Sequence, residues 1–384
     1  MEATRASRGR YYRPELDVVR FIAFLLVFLL HTLPAPTDSR STQLLMGFAP
    51  AFSVVKVACK FGLSLFFTLS AFLICELLIR EREASGTIGV KQFYIRRILR
   101  IWPVYYLGLA LGVAIAFLPG GDSAVVARLS WFAIFMGAWN SAFHGTLSSP
   151  ASPLWSISVE EQFYLFAPWA VKCLSRKSLY GFCAVLIVLA NLCLYHLGKA
   201  SASNLRVWYD SFVQFECFAA GILLCLFLHG RLPGFAIWQR MVVVVGSLSC
   251  WLFAAYLEIV RFSAFEHTAS WPIICSNALT ALGSAMFITA FLGVDSKQLP
   301  AWAIYLGRIS FGLYVYHEFA IYVSYSIFGH HVSLSSPAYY LKGVLAIGLT
   351  FLMAVLSYRY FETPFLKMKK RHAIIESQPI QGAG

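Results

Sequence analysis

RPELDVVRFIAFLLVFLLH, residues 13–31, has the length and composition of a membrane span. About 20 apolar residues cross a bilayer, and this run makes a first span near residues 16–33. It nevertheless carries Asp17, Arg20 and His31. Ionisable groups inside a span are expensive to hold and mark functional positions. Arg20 and His31 are eleven positions apart, within about 20° of three full helical turns, so both face the same way. The rise between them is about 16 Å, half the hydrocarbon thickness. Asp17 lies one turn before Arg20 and is placed to pair with it. The plain alternative is a snorkelling Arg and an interfacial His at the two helix ends.

Working outward, the composition agrees with this first span. Of 384 residues, 59% are hydrophobic and only 13% charged, about half the charged share of an ordinary soluble domain. The 16% aromatic content excludes a disordered chain. Span-length apolar windows fall near 16–33, 61–79, 101–118, 154–171, 179–197, 211–229, 241–258, 271–292, 304–328 and 338–358. The expected fold is an all-α, polytopic transmembrane bundle of about ten spans. The shorter apolar stretch 124–139 reads as a re-entrant or interfacial piece, or as half of an extra pair. With both termini cytoplasmic, 21 of the 31 Lys and Arg fall inside and 8 outside, Arg20 and Arg308 lying within spans. That bias accounts for the net charge of +13 without nucleic acid as a partner. The expected organisation is a basic cytoplasmic segment 1–15, a membrane domain 16–358 and a cytoplasmic tail 359–384. The tail sequence KMKKRH suits anchoring to anionic lipid. Nine cysteines include no CxxC pair; most lie in apolar runs (Cys75, Cys183, Cys193, Cys217, Cys225, Cys250) and read as buried apolar residues, and no metal site is expected; His330 and His331 are an isolated pair. No cleavable signal peptide is evident. P-loop, GxGxxG and GxSxG patterns are absent.

Four further stretches carry chemistry. FYIRRILRIWPVYY, residues 93–106, puts Arg96 and Arg100 on one helix face with Arg97 beside them. They are either topological anchors or a polyphosphate clamp. SPLWSISVEEQFYLF, residues 152–166, has Ser158 and Glu161 at capping-box spacing. That leaves Glu160 unexplained, a carboxylate at about the depth of His31 that could fix its tautomer and raise its basicity. LSLFFTLSAFLI, residues 63–74, carries Ser64, Thr68 and Ser70, ordinary packing positions in membranes. ISFGLYVYHEFAIY, residues 309–322, places His317 and Glu318 mid-span, with Arg308 nearer the inside. Neighbours in sequence point about 100° apart on a helix, so this His and Glu need not touch.

Together these residues resemble the acyltransferase family 3 of integral-membrane O-acyltransferases. The first span looks like that family's Arg-x10-His helix. FFTLSAFLI is similar to its FF-x-LSGFLI, with Ala71 where Gly is usual. FYIRRILRIWPVYY resembles its Arg-rich element, and LWSISVEEQFYL its WS-x-S-VE-x-QFY stretch, placing Trp155, Ser156 and Glu160. ISFGLYVYHE resembles its S-x-x-LY-x-xH segment, ending at His317, and FETPF at 361–365 its E-x-P-F, with Thr363 where Arg is commoner. The resemblance runs from about residue 13 to 366. It implies a stand-alone enzyme moving an acyl group, commonly acetyl, from cytoplasmic acyl-CoA to a sugar or other hydroxyl at the outer face. The expected home is a bacterial cytoplasmic (inner) membrane. No permanently bound cofactor is expected, and acetyl-CoA or another acyl-CoA is the donor substrate. Arg96, Arg97, Arg100, Arg20 and Arg308 would hold the donor, and Arg20 is also a weak candidate for oxyanion stabilisation. His31 would be the general base, Glu160 would orient it or bind the acceptor, and Asp17, Trp155, Ser156 and His317 would line the substrate. The acceptor is a glycan or lipid-linked sugar, with a lipid or a secreted small molecule as variants of the same chemistry. A proton-coupled transporter is the alternative from another class, because intramembrane His, Glu and Arg also mark transporters. A scaffolding protein would have no reason to hold Arg20 in a span.

Overall fold

The computed structural model describes residues 11–34, 49–119, 121–263, 269–329, 336–372 and 375. His330, His331, Arg40 and, in the expected terminal segments, residues 1–10, 373, 374 and 376–384 lie outside the described residues. Among the described residues the chain is all-helical, without strands. Ten helices have 18 or more residues. They are α1 (Pro14–Thr32), α2 (Phe61–Ser85), α3 (Val90–Ala116), α4 (Trp155–Cys173) and α5 (Arg176–Lys199). The second half supplies α6 (Ser211–Leu228), α7 (Ile237–Ser263), α8 (Trp271–Phe291), α9 (Ser310–Phe328) and α10 (Pro337–Leu356). Each expected window overlaps one of them.

Seven described helices are long and apolar enough to cross a membrane, namely α2, α3, α5, α6, α7, α8 and α10 with their extensions. The other three have the length but are too polar. Glu15, Asp17 and Arg20 sit on α1, Glu160, Glu161 and Lys172 on α4, and His317, Glu318 and four tyrosines on α9. All three carry candidate site residues, as does the more apolar α3 with Arg96, Arg97 and Arg100. Such helices must bury their polar groups against protein, and α1 does so, with Glu15, Asp17, Val19 and Phe24 all buried.

Three local expectations change. The window 304–328 is two helices, Ala301–Arg308 and α9, broken at Ile309. The stretch 124–139 is not one apolar piece but covers the short helix Val125–Ala133 and the start of Gly137–His144, with Phe135 at φ 58° between them, which leaves a re-entrant or interfacial piece rather than half of an extra pair. Neither helix is long enough to cross a bilayer alone. Ser158 and Glu161 do not form a capping box. A 3-10 turn at Ser152–Leu154 leads into α4 at Trp155, so both residues lie inside the helix. Glu161 instead accepts the Trp102 indole N–H at 3.2 Å.

Close helix approach positions the site. Helix Ala301–Arg308 packs on α1 through Gly307, where an added Cβ would fall 1.8 Å from the Asp17 carbonyl oxygen. Gly221 of α6 likewise faces Thr68 of α2, with 2.2 Å between an added Cβ and the backbone oxygen. At the start of α1, Pro14 supplies the fixed first-turn φ, and Glu15 and Asp17 lie at the positive end of the helix dipole.

Candidate active site

A cavity of about 180 Å³ lies between α1, α2, α3, α4 and the start of α9. Its lining on α2 runs from Glu81 to Leu63, which at 1.5 Å per residue is about 27 Å of helix. One end is cationic, because Arg13, Arg20, Arg96, Arg97, Arg100 and Lys369 line it against the carboxylates Asp17, Glu81 and Glu160. The middle is apolar, with Leu69, Leu73 and Ile74 of α2 among its walls. Ser156 and Tyr314 line it as well. Their hydroxyls are 2.6 Å apart, so one donates to the other, and the proton that remains goes to the Pro153 carbonyl, 3.0 Å from each.

The cations differ in how far they are neutralised. Arg20 donates to Asp17 at 2.5 Å, and Tyr12 donates to the other Asp17 oxygen at 2.9 Å. Arg96 donates to Glu81 at 2.7 Å and to the His372 carbonyl at 2.9 Å. Arg97 and Arg100 form no ion pair among the described residues; Arg97 lies over the Phe93 and Tyr164 rings. Just before α1, burial and then the Asp17 carboxylate push the Tyr12 phenol up to about 12. Burial and then Glu76 raise its neighbour Tyr11 further still. Both phenols therefore remain protonated donors at neutral pH.

Behind Tyr314 sits a second cluster. The Tyr314 and His317 rings are 5.5 Å apart, and His317 and His31 are 5.2 Å apart. His31 Nδ1 meets Glu318 Oε1 at 2.5 Å. His317 Nδ1 meets the Tyr314 carbonyl oxygen at 2.5 Å. A carbonyl only accepts, so His317 carries its proton on Nδ1 and leaves Nε2 as a lone-pair acceptor. That Nε2 is buried and has no partner. With Glu318 ionised, His31 likewise donates from Nδ1 and keeps Nε2 free. The three side chains present ligand atoms within 4.8 Å of one another. A metal held by His and carboxylate sits about 2 Å from each. The direct His31–Glu318 contact would have to open to admit one.

The candidate residues therefore fall into separate places. Arg20, Arg96, Arg97, Arg100, Asp17, Ser156 and Glu160 share the cavity, whereas His31 and His317 lie beyond it. The carboxylate on His31 is Glu318, not Glu160. Glu160 lies beside Ser70, Tyr164, Arg97 and Arg100. Arg308 is not in the cavity lining and donates to the Tyr12 hydroxyl at 3.2 Å. Trp155 also stays outside it, edge-on to Tyr209 at 4.8 Å and to Trp208 at 6.0 Å. Glu318 and Tyr314 are residues that the motifs left without a role, and Lys369, expected to anchor at the lipid surface, faces the cavity instead. The available signal was depth: Glu318 is an ionisable group in a span that also has His31 in its partner helix to satisfy.

This is the layout of an integral membrane protein with a transverse polar cavity, and the chain belongs to the acyltransferase 3 family, whose acyltransferase-domain model matches residues 13–359. It is similar to SAS0844 of Staphylococcus aureus strain MSSA476, named by inference as an O-acetyltransferase, with 26% identity over 93% of this chain and 58% of that one. It is 24% identical to the peptidoglycan O-acetyltransferase OatA of Listeria monocytogenes, over 80% of this chain and 51% of that protein. OatA of Staphylococcus aureus strain NCTC 8325 is 25% identical over 80% of this chain and 52% of its own length. The chain thus spans between half and three-fifths of the relatives it matches. No solved structure matches it.

Proposed function

We propose that the protein is an O-acyltransferase that moves an acetyl group from acetyl-CoA, bound on the cytoplasmic side, to a hydroxyl of a glycan or lipid-linked sugar at the opposite face. One observation carries this reading. A cavity with unpaired guanidiniums at one end has Tyr314 in its wall, and a histidine–glutamate pair lies behind that tyrosine. An anionic, long-armed thioester fits such a cavity, with its phosphates among Arg97 and Arg100 and its arm along the apolar middle. The related O-acetyltransferases support acetyl as the group, and the peptidoglycan enzyme supports a glycan acceptor.

In this mechanism Glu318 holds His31 with Nε2 free, and Nε2 takes the proton of the acceptor hydroxyl. The oxygen attacks the thioester carbonyl, the C–O bond forms and the C–S bond breaks. His31 then returns its proton to the CoA thiolate, so charge balances over the cycle. His317 Nε2 accepts a hydrogen bond from the incoming sugar. The Tyr314–Ser156 contact parts to let the thioester reach His31.

The test uses purified protein in nanodiscs with acetyl-CoA, following free CoA with and without a crude glycan acceptor. Acceptor-stimulated release is expected from the wild type and not from folded His31→Ala, a loss of roughly 10²- to 10⁴-fold. Equal release by both removes His31 as the base. A folded wild type that neither binds nor consumes acetyl-CoA overturns the proposal.

A further inference from the structure

We infer that Lys369, on the helix Thr363–Arg371 after α10, is a ligand for the phosphates of the donor nucleotide and that this helix closes the cationic end of the cavity. The inference rests on the acyl-CoA reading above.

A six-residue π-helical segment, Ser357–Glu362, joins α10 to this helix. Its wider turn shifts the register of everything beyond it. The helix packs on α3, and Arg96 ties down its end by donating to the His372 carbonyl at 2.9 Å. A membrane-surface anchor should show its cations to the outside, as Lys367 and Arg371 do. Lys369 does the reverse. It is 9% exposed, lines the cavity, and is opposed by the like charges of Arg100, Arg97, Arg96 and Arg20. It forms no ion pair among the described residues.

Burying an unpaired ammonium against four guanidiniums works against the stability of the empty protein. The arrangement becomes favourable once a multiply charged anion enters. Asp17 and Glu81 already neutralise Arg20 and Arg96, which leaves Arg97, Arg100 and Lys369, with the single carboxylate Glu160 beside the two guanidiniums, for that anion. Two planar guanidiniums and one compact ammonium suit a pyrophosphate with a nearby phosphomonoester, the head of CoA. A phospholipid headgroup offers the same chemistry from a different source.

The full chain in nanodiscs of neutral phosphatidylcholine separates these outcomes. CoA binding is measured by calorimetry, and donor KM with acetyl-CoA and with S-acetyl-pantetheine, which has no nucleotide. Lys369→Ala is expected to weaken CoA binding and raise the acetyl-CoA KM roughly 10- to 100-fold. It should leave the S-acetyl-pantetheine KM unchanged. Lys369→Arg should recover most of the affinity, and Lys367→Ala should behave as the wild type. The thermal midpoint of donor-free Lys369→Ala should equal or exceed that of the wild type, whereas a merely structural lysine would lower it. If wild type and Lys369→Ala bind CoA equally, the inference falls while the acyl-CoA reading stands. An effect of Lys369→Ala seen only after adding anionic lipid assigns the site to headgroups instead and overturns it. A wild type that binds no CoA overturns both.

Discussion

At the scale of single residues, the proposed mechanism turns on which carboxylate meets His31. Glu318 occupies that place at 2.5 Å, and it fixes the ring so that Nε2 faces away from the contact. Glu318→Gln keeps the shape and removes the charge, so the pair loses a charge-assisted hydrogen bond of about 1.5–3 kcal/mol. The expected outcome is a fall in kcat of roughly 10- to 100-fold with an unchanged KM for acetyl-CoA. In a His31→Ala background the same change should have little further effect, because the two act as one unit. A double-mutant cycle checks this, and simple additivity would contradict it. In the same mechanism Tyr314 stands on the other side of the reacting groups. Its side chain stands between cavity and histidines, with its hydroxyl on Ser156 and Pro153. Tyr314→Ala is expected to raise CoA release in the absence of acceptor, measured as acceptor-independent thioester hydrolysis, because truncation admits water to the thioester.

At the scale of elements, the site depends on α1 being held at close range by a short partner. Gly307 leaves no room for a side chain between helix Ala301–Arg308 and the Asp17 backbone. Gly307→Val must push the two helices apart and displace the Asp17–Arg20 pair with them. The expected result is a destabilisation of about 1–3 kcal/mol or more, read as a lowered thermal midpoint, with a raised donor KM. Gly343 of α10 has open space around it, and Gly343→Ala in the same assay should not lower the midpoint. The start of α4 carries a related lesson. Capping-box spacing at Ser158 and Glu161 suggested a helix start, but the 3-10 turn at Ser152–Leu154 begins the helix earlier. Glu161 then serves Trp102 across the bundle, a tertiary contact that outweighs the local signal.

At the scale of the whole molecule, charge is distributed along the cavity. Six basic side chains face three carboxylates at one end, while an imidazole–carboxylate pair lies behind Tyr314. Arg97→Ala together with Arg100→Ala should raise the acetyl-CoA KM by at least tenfold and leave kcat at saturating donor within a few-fold. Raising ionic strength should weaken donor binding in the wild type more than in the double variant, because screening acts on charges the variant lacks. Measured KM against salt checks both statements.

The solvent and the class of the fold are legible in the order of residues alone. Apolar windows long enough for a bilayer gave an all-α membrane bundle, and each window overlaps one of the ten long helices. That order also put Arg20 and His31 on one helix at two depths, and grouped Arg96, Arg97 and Arg100, because helical period and rise are local properties of the chain. Which side chains meet is set by how the helices pack. His31 takes Glu318 rather than Glu160, Arg308 turns to Tyr12 rather than to the cavity, and Lys369 points inward rather than to lipid. The reason is physical: periodicity fixes the face and depth of a residue on its own helix, but not which helix is packed opposite. That choice is made by close approaches such as Gly307 on α1, by the break at Ile309 and by the π turn after α10, none of which leaves a periodic signal.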